Sequence, residues 1–234
     1  MAAALAAAEA AEAAPLPDLE RLRQKLGNQE VALTWVFTGD SITQGAGQVG
    51  PERAYPEIVH ERVRFELRRR RDLFINAGFS GETADRLLQD FDWRVTRFQP
   101  AVVSVMFGMN DCVAGPEGRE AFGRNLREIV RRVRALGAIP ILHTLDPIDS
   151  ADPMTATRSD LPAYSTTVKT VAEKEAVILI DHWAHWTEAR PSLAALREWL
   201  GDPFHPNGAG HRQFAILFFQ AIGIYDPAKP ACRP

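Results

Sequence analysis

The chain has 234 residues, of which 46% are hydrophobic and 24% charged, and its 27 basic and 30 acidic side chains leave a formal charge of −3. These values are typical of globular proteins and exclude a disordered chain, a collagen-like chain and a disulfide-dense miniprotein. The near-neutral charge gives no electrostatic reason to expect nucleic acid or an anionic membrane as a partner. A chain of this length can bury a complete hydrophobic core in a single domain.

The N-terminal segment is almost all alanine, and we interpret residues 1–28 as a tail or helix outside the main domain. A secretory signal needs a basic start and an uninterrupted apolar stretch. Here the first basic residue is Arg21, and Glu9 and Glu12 interrupt the alanine run. We therefore expect a cytoplasmic protein, with a degenerate secretory signal as the alternative. Residues 227–234 are interpreted as a short C-terminal tail.

Hydropathy and cysteine usage agree with this expectation. No apolar run reaches the ~18 residues needed to cross a bilayer, so no transmembrane segment is predicted. The two cysteines, Cys112 and Cys232, are far apart and show no CxxC spacing, which argues against a disulfide framework and a zinc site. This pattern suits a reducing compartment.

Residues 29–226 alternate short apolar runs with longer amphipathic stretches. Continuous apolar runs are typical of strands buried on both faces. The predicted strands are Val31–Thr38, Leu73–Asn76, Ala101–Phe107, Ile139–Thr144 and Val177–Ile180. The predicted helices are Tyr55–Arg70, Thr83–Gln89, Glu120–Leu136, Pro162–Glu175 and Gly208–Ala221. This order predicts one α/β domain with a parallel sheet, helices on both faces and right-handed crossovers.

Two polar stretches are expected to face solvent. Arg68–Arg71 ends a predicted helix, where cations complement the helix dipole, and is predicted to be a solvated helix end. The segment from Asp146 to Leu161 is rich in Pro, Asp, Ser and Thr, and is predicted to be a surface loop near the carboxyl edge of the sheet.

Small and polar residues follow the predicted strands, and ligands of an open parallel sheet bind at the carboxyl ends of its strands. Ser41 follows the first strand and is the candidate nucleophile, with His205 as its base and Asp202 as the acid that orients the imidazole. The candidate oxyanion donors are the Ser41 N–H, the Gly81 N–H and the Asn110 side chain. By residue type, the set has the parts of an acyl-transfer site.

Four segments resemble, in order, the sequence blocks of the GDSL, or SGNH, hydrolase family. They are Gly39-Asp40-Ser41-Ile42-Thr43, Asn76 to Thr83, Gly108-Met109-Asn110-Asp111 and Asp202-Pro203-Phe204-His205-Pro206. The resemblance places Ser41, Asp202 and His205 at the family's triad and Gly81 and Asn110 at its oxyanion positions. One GDS tripeptide is weak evidence, whereas four blocks in the family's order, spread over nearly the whole chain, are specific.

The resemblance implies a three-layer α/β/α flavodoxin-like sandwich whose five-stranded parallel sheet has the order 2-1-3-4-5. It implies a serine esterase, lipase or thioesterase that uses no metal and no organic cofactor. Short acyl groups are favoured, because the chain has no long apolar insertion to bury a long acyl tail. The expected partner is a small ester, with an acetylated sugar as the candidate. Trp183 and Trp186 could stack on a sugar or pack in the core.

Two aspartates are assigned supporting roles. Asp40 is expected to bond loop amides beside Ser41, and Asp111 is expected to support Asn110 or to cap the segment that follows. His143 lies in a predicted strand and is expected to be a satisfied core histidine.

Other functions fit part of this pattern. A thioesterase, lysophospholipase or acyltransferase would use the same triad, and a non-catalytic binding module would use the same fold. A metallohydrolase could combine Asp202 and His205 with Asp40 or Asp111, but the chain has no H-x-H or H-E-x-x-H cluster, and no metal site is predicted. The histidines of His182–His185 lack a third ligand and are interpreted as a packed aromatic corner.

Overall fold

The structure is a computed structural model that describes residues 17–45 and 47–233, without the side chain of Gln48. Apolar, largely β-branched runs form five parallel strands: β1 (Thr34–Gly39), β2 (Leu73–Asn76), β3 (Val102–Met106), β4 (Ile139–His143) and β5 (Ile178–Ile180). The sheet order is β2-β1-β3-β4-β5, which confirms the expected order. All five predicted strands are present, with small shifts at their ends.

The helices of the described residues fill the connections between the strands. They are α1 (Asp18–Gly27), α2 (Ser41–Gln44), α3 (Tyr55–Glu61), α4 (Ala84–Gln89), α5 (Phe91–Arg94), α6 (Gly115–Ala135), α7 (Leu161–Lys174), α8 (His182–Ala189), α9 (Leu193–Arg197) and α10 (Gly208–Ile222). Short 3₁₀ turns lie at Gly47–Val49, Thr96–Phe98, Asp111–Ala114, Pro153–Arg158 and Pro230–Cys232.

The sheet lies between two helical layers. Helices α1, α3 and α10 pack together on one side, and α4, α6 and α7 on the other. All residues of β3 and β4 are buried, as expected for strands covered on both faces. Helix α6 buries the apolar stripe that the 3.6-residue spacing predicts, although it begins at Gly115 rather than Glu120, since Pro116 suits the first turn of a helix. The three-layer architecture is therefore confirmed.

The prediction for the segment after α3 was wrong in part: Arg68, Arg70 and Arg71 are exposed as expected, but the helix is shorter and Arg69 is buried. The helix ends at Glu61, a π-helical turn follows at Arg62–Glu66, and Arg68 has a positive φ of 61°. Arg69 is 4% exposed rather than solvated: its Nε lies 2.8 Å from the Asp72 carboxylate, and its guanidinium also donates to four backbone carbonyls. A buried guanidinium needs acceptors for its N–H groups. Here the acceptors lie at the end of α1 and just before β1 and β2, so the Arg69 side chain links the end of α1 to the sheet.

The loop after β4 was also predicted incorrectly in part. Asp146 and Thr155 are buried, and Pro153–Arg158 forms a 3₁₀ helix within it. Only part of the stretch therefore faces solvent.

Segments at both ends pack on the domain. Leu22 of α1 and Cys232 belong to the same hydrophobic core as the sheet. The boundaries at residues 28 and 226 stay predictions, and the alanine run at 1–14 lies outside the described residues. Cys112 and Cys232 are buried free thiols. None of the described helices has the length and apolar character needed to span a membrane.

Candidate active site

The three residues expected to form a catalytic relay lie in direct contact. Ser41 begins α2, immediately after β1. Its Oγ lies 2.7 Å from Nε2 of His205, and Nδ1 of His205 lies 2.7 Å from Oδ2 of Asp202. Both are hydrogen-bond distances. The fold therefore brings Ser41 next to a histidine that is 164 positions away in the chain.

A tight loop before α10 presents the acid and the imidazole. Its two ends pair between Leu200 and Pro206. Within it, Oδ1 of Asp202 accepts the N–H groups of Phe204 and His205 at 3.0 and 2.8 Å. Burial raises the pKa of Asp202, but these bonds and the bond from the His205 ring outweigh burial and hold it below its ordinary value. Asp202 is therefore ionised at neutral pH.

The loops after β1, β2 and β3 support one another. The Asn110 side-chain amide donates to the Glu82 carbonyl at 3.0 Å, which joins the third loop to the second. The Phe79 N–H donates to the Gly39 carbonyl at 3.1 Å, which joins the second loop to the first. Gly81 has φ 78°, a conformation that glycine adopts without strain. The segments that carry all the expected oxyanion donors are thus held together.

The two supporting aspartates stabilise loop ends. Oδ1 of Asp40 accepts the Ile42 N–H at 2.9 Å at the start of α2. Oδ1 of Asp111 accepts the Ala84 N–H at 2.9 Å, so it supports the start of α4, and the structure shows no bond between it and the side chain of Asn110. Burial raises the pKa of Asp40 to about 7 and that of Asp111 to about 6.

Sequence analysis missed two residues of the loop after β4. Asp146 is fully buried, neither of its carboxyl oxygens has a hydrogen-bond partner among the described residues, and burial raises its pKa well above the ordinary value. Arg158 donates from Nε to the Met109 carbonyl at 3.2 Å, and its guanidinium carbon lies 4.3 Å from the centre of the Phe204 ring. No local pattern marks either residue, because both owe their place to contacts between distant segments.

Comparison with known proteins places the chain in a family. The GDSL-like lipase/acylhydrolase family matches residues 37–213, which include every site residue named above. The chain belongs to this family. It is therefore a carboxylic ester hydrolase of the GDSL/SGNH serine type, as the sequence blocks predicted.

Relatives of this hydrolase cover most of its length. An acetylxylan esterase of Geobacillus stearothermophilus is 30% identical over 224 residues, which span 86% of this chain and 97% of the relative. A crystal structure of an acetylxylan esterase from the same organism has a TM-score of 0.68 at 25% identity, covering 85% and 97% of the two chains. An uncharacterised lipoprotein of Bacillus subtilis is 27% identical over 177 residues, 66% of this chain and 72% of the relative.

A buried hydrogen-bond network lies behind the Ser41 helix of this GDSL hydrolase. Thr43 of α2 bonds the Tyr55 hydroxyl at 3.1 Å. Across the sheet, Ser104 Oγ lies 2.8 Å from Nε2 of His143, whose Nδ1 lies 2.9 Å from Nε2 of His182. Burial lowers the pKa of His143 to about 3 and that of His182 well below its ordinary value. The expectation that His143 is a satisfied core histidine is confirmed.

The described residues also bear on a metal site and on the two tryptophans considered for sugar stacking. Across residues 17–45 and 47–233, no three His, Cys, Asp or Glu residues form a group that could hold a metal ion. Trp186 is fully buried against Trp199 and Phe214, so it packs in the core and cannot stack on a sugar. Trp183 is partly exposed.

Proposed function

We propose that the chain is a serine esterase that removes short acyl groups, acetyl above all, from carbohydrate esters. The observation that carries the proposal is the relay from Asp202 through His205 to Ser41, with 2.7 Å at both steps. The full-length likeness to a relative named acetylxylan esterase supports an acetylated sugar as substrate.

In this mechanism the relay activates Ser41. Its Oγ attacks the ester carbonyl carbon while Nε2 of His205 takes the hydroxyl proton. The same proton then passes to the oxygen of the leaving alcohol, and an acyl-enzyme remains. Water attacks this intermediate by the same route and releases the acid. The ionised Asp202 holds the Nδ1–H of His205 and stabilises the imidazolium.

Three donors are proposed to bind the oxyanion: the N–H of Ser41, the N–H of Gly81 and the side chain of Asn110. The space beside the Gly81 Cα is open, since a Cβ built there would have no neighbour within 4 Å, which leaves the backbone accessible to substrate. The Asn110 amide uses one N–H for the Glu82 carbonyl and has a second to offer. Such a donor contributes about 2.7–4 kcal/mol to transition-state stabilisation.

Restricted access supports a small acyl group. Ser41 is only 9% exposed, and an acetyl group needs little apolar area around it. The proposed location in the cytoplasm rests on the sequence and on the two buried free thiols.

The mechanism is tested with p-nitrophenyl acetate. Ser41→Ala and His205→Ala should each lose at least about 10³-fold in kcat, because the residues of a triad act as a unit. The matched controls are Ser150→Ala, at an exposed serine, and His185→Ala, at a histidine outside the relay, and both should keep full activity. Substantial turnover by either triad variant would overturn the mechanism.

The substrate is tested with a panel. Acetylated xylo-oligosaccharides should be hydrolysed, and p-nitrophenyl esters should lose rate as the acyl chain lengthens. A maximum at eight carbons or more, about the length at which apolar burial dominates binding, would overturn the short-acyl proposal. Faster cleavage of acyl thioesters or lysophospholipids would replace it with one of the alternative activities.

A further inference from the structure

Two strongly exposed aromatic side chains line one cleft beside the turn that carries Gly81. Phe79 is 63% exposed and Trp93 is 67% exposed, and both line a cleft of about 340 Å³ together with Phe98. We call it the aromatic cleft. Large apolar rings grouped in a concave surface mark a binding site more often than singly exposed ones do.

The charges of the aromatic cleft disfavour an ionic ligand. Its floor carries the ion pair between Arg94 and Glu82, both with 8% exposed side chains, so neither charge needs a partner from outside. Arg94 also donates to the Ala77 carbonyl at 2.6 Å. Asp90 lines the cleft without an ion-pair partner among the described residues. The Arg97 guanidinium stacks on one face of the Trp93 ring, 3.9 Å from the ring centre, so the charges beside the rings offset one another. The carboxylate oxygens of Asp90 can accept hydrogen bonds from hydroxyl groups.

The aromatic cleft lies beside the loops that carry the candidate active site. Phe79 and Gly81 belong to the same turn, and the Phe79 N–H bonds the Gly39 carbonyl two positions before Ser41. Arg94 reaches the same Gly39 carbonyl at 3.5 Å. The loop that lines the cleft therefore packs directly against the loop that carries Ser41.

We propose that the aromatic cleft binds a neutral sugar unit of an oligosaccharide whose acetylated unit lies at Ser41, so that oligosaccharides are better substrates than monosaccharides. The C–H face of the sugar ring packs on Trp93 and Phe79, and its hydroxyl groups donate to Asp90. This inference rests on the proposed action on carbohydrate esters.

Binding is measured without turnover. Ser41→Ala protein is titrated with unacetylated xylohexaose in a calorimeter, with and without a second change, Trp93→Ala, so that the measurement does not depend on the fluorescence of Trp93. Trp93→Ala should weaken binding about tenfold, the scale of one lost aromatic contact. Because Trp93 is exposed, its removal should leave folding intact. Phe65→Ala is the matched control: Phe65 is 63% exposed like Phe79, but it lines a different cleft.

Kinetics separate this inference from the proposed function. In the otherwise native enzyme, Trp93→Ala should raise KM for acetylated xylo-oligosaccharides about fivefold or more, with kcat and p-nitrophenyl acetate hydrolysis unchanged. An unchanged KM, or no xylohexaose binding to the Ser41→Ala protein, would overturn the proposed sugar site in the aromatic cleft. The proposed esterase activity would not be affected by that result. Failure of the wild type on every acetylated sugar, with p-nitrophenyl acetate still cleaved, would instead overturn the proposed substrate. A dimer that Trp93→Ala dissociates in sedimentation would make the cleft an interface between copies and overturn the sugar site.

Discussion

At the scale of single residues, Arg158 connects the two loops on which the proposed mechanism depends. It bonds the carbonyl of Met109, directly before Asn110, and stacks on Phe204, directly before His205. A planar guanidinium can donate a hydrogen bond in its plane while its flat face stacks on an aromatic ring, whereas an ammonium group has no flat face to stack. Arg158 thus sets the spacing between the proposed base and the proposed oxyanion amide.

Arg158→Ala should lower kcat on p-nitrophenyl acetate about tenfold with little change in KM, because small displacements of catalytic groups reduce turnover. Arg158→Lys should not restore kcat. The control is Arg132→Ala, which also removes a bond to a backbone carbonyl, that of Leu88, and a contact with an aromatic ring, that of Phe91, but on α6. Equal kcat values for the Arg158 variants and the wild type would contradict this positioning role.

At the scale of elements, the helix that begins with Ser41 is too short to be stable alone. Helix α2 has four residues, and isolated helices need many more to form. Its position therefore depends on ties to its surroundings: the Asp40 carboxylate at its start, and the bond between Thr43 and the buried Tyr55 hydroxyl. These ties hold the Ser41 side chain in place.

Tyr55→Phe should lower the free energy of unfolding by about 1–3 kcal/mol, because it leaves the buried Thr43 hydroxyl without its partner, and should also lower kcat several-fold. Tyr164→Phe is the matched control. It removes the hydroxyl of another fully buried tyrosine, which donates to the Gly115 carbonyl at 2.9 Å. Tyr164→Phe should lower the free energy of unfolding in urea by a similar amount but leave kcat unchanged. If Tyr55→Phe also keeps full kcat, the hydrogen bond between Thr43 and Tyr55 does not contribute to catalysis.

At the scale of the whole molecule, buried titratable groups make stability depend on pH in two opposing ways. Burial lowers the pKa values of His143 and His211 from 6.5 to about 3. The stability that depends on these neutral rings is present above pH 6.5 and is lost as the pH falls toward 3. Asp40 acts in the opposite direction, since its pKa is raised from 3.8 to about 7 and stability is lost as the pH rises through that range.

A variant of His211 isolates one of these contributions. Its Nδ1 accepts the Tyr55 N–H at 3.2 Å, and the amide oxygen of His211→Asn can replace that acceptor without titrating. The unfolding free energy of the wild type should therefore fall relative to the variant by about 2 kcal/mol between pH 6.5 and 5, at 1.36 kcal/mol per pKa unit. Urea unfolding at several pH values measures the difference, and a pH-independent difference would contradict the buried neutral state of His211.

Much of the architecture could be predicted from local pattern. The strand runs and the α6 stripe were predicted, because the period of apolar residues reports which faces are buried. The sheet order was predicted from the resemblance to the GDSL/SGNH family. The conformation and burial of the segment after α3 and of the loop after β4 were not predicted correctly. Arg69 and Asp146 are polar residues in polar stretches, and only packing against distant segments buries them.

The sequence by itself determined the fold class and the family and named Ser41, His205 and Asp202 as candidates, because the succession of strands, helices and sequence blocks is a property of the chain. Only the tertiary structure decided the 2.7 Å relay, the bridging position of Arg158 and the aromatic cleft at Trp93. The physical reason is that these features depend on distances between segments far apart in the chain, which packing of the core determines and local periodicity does not.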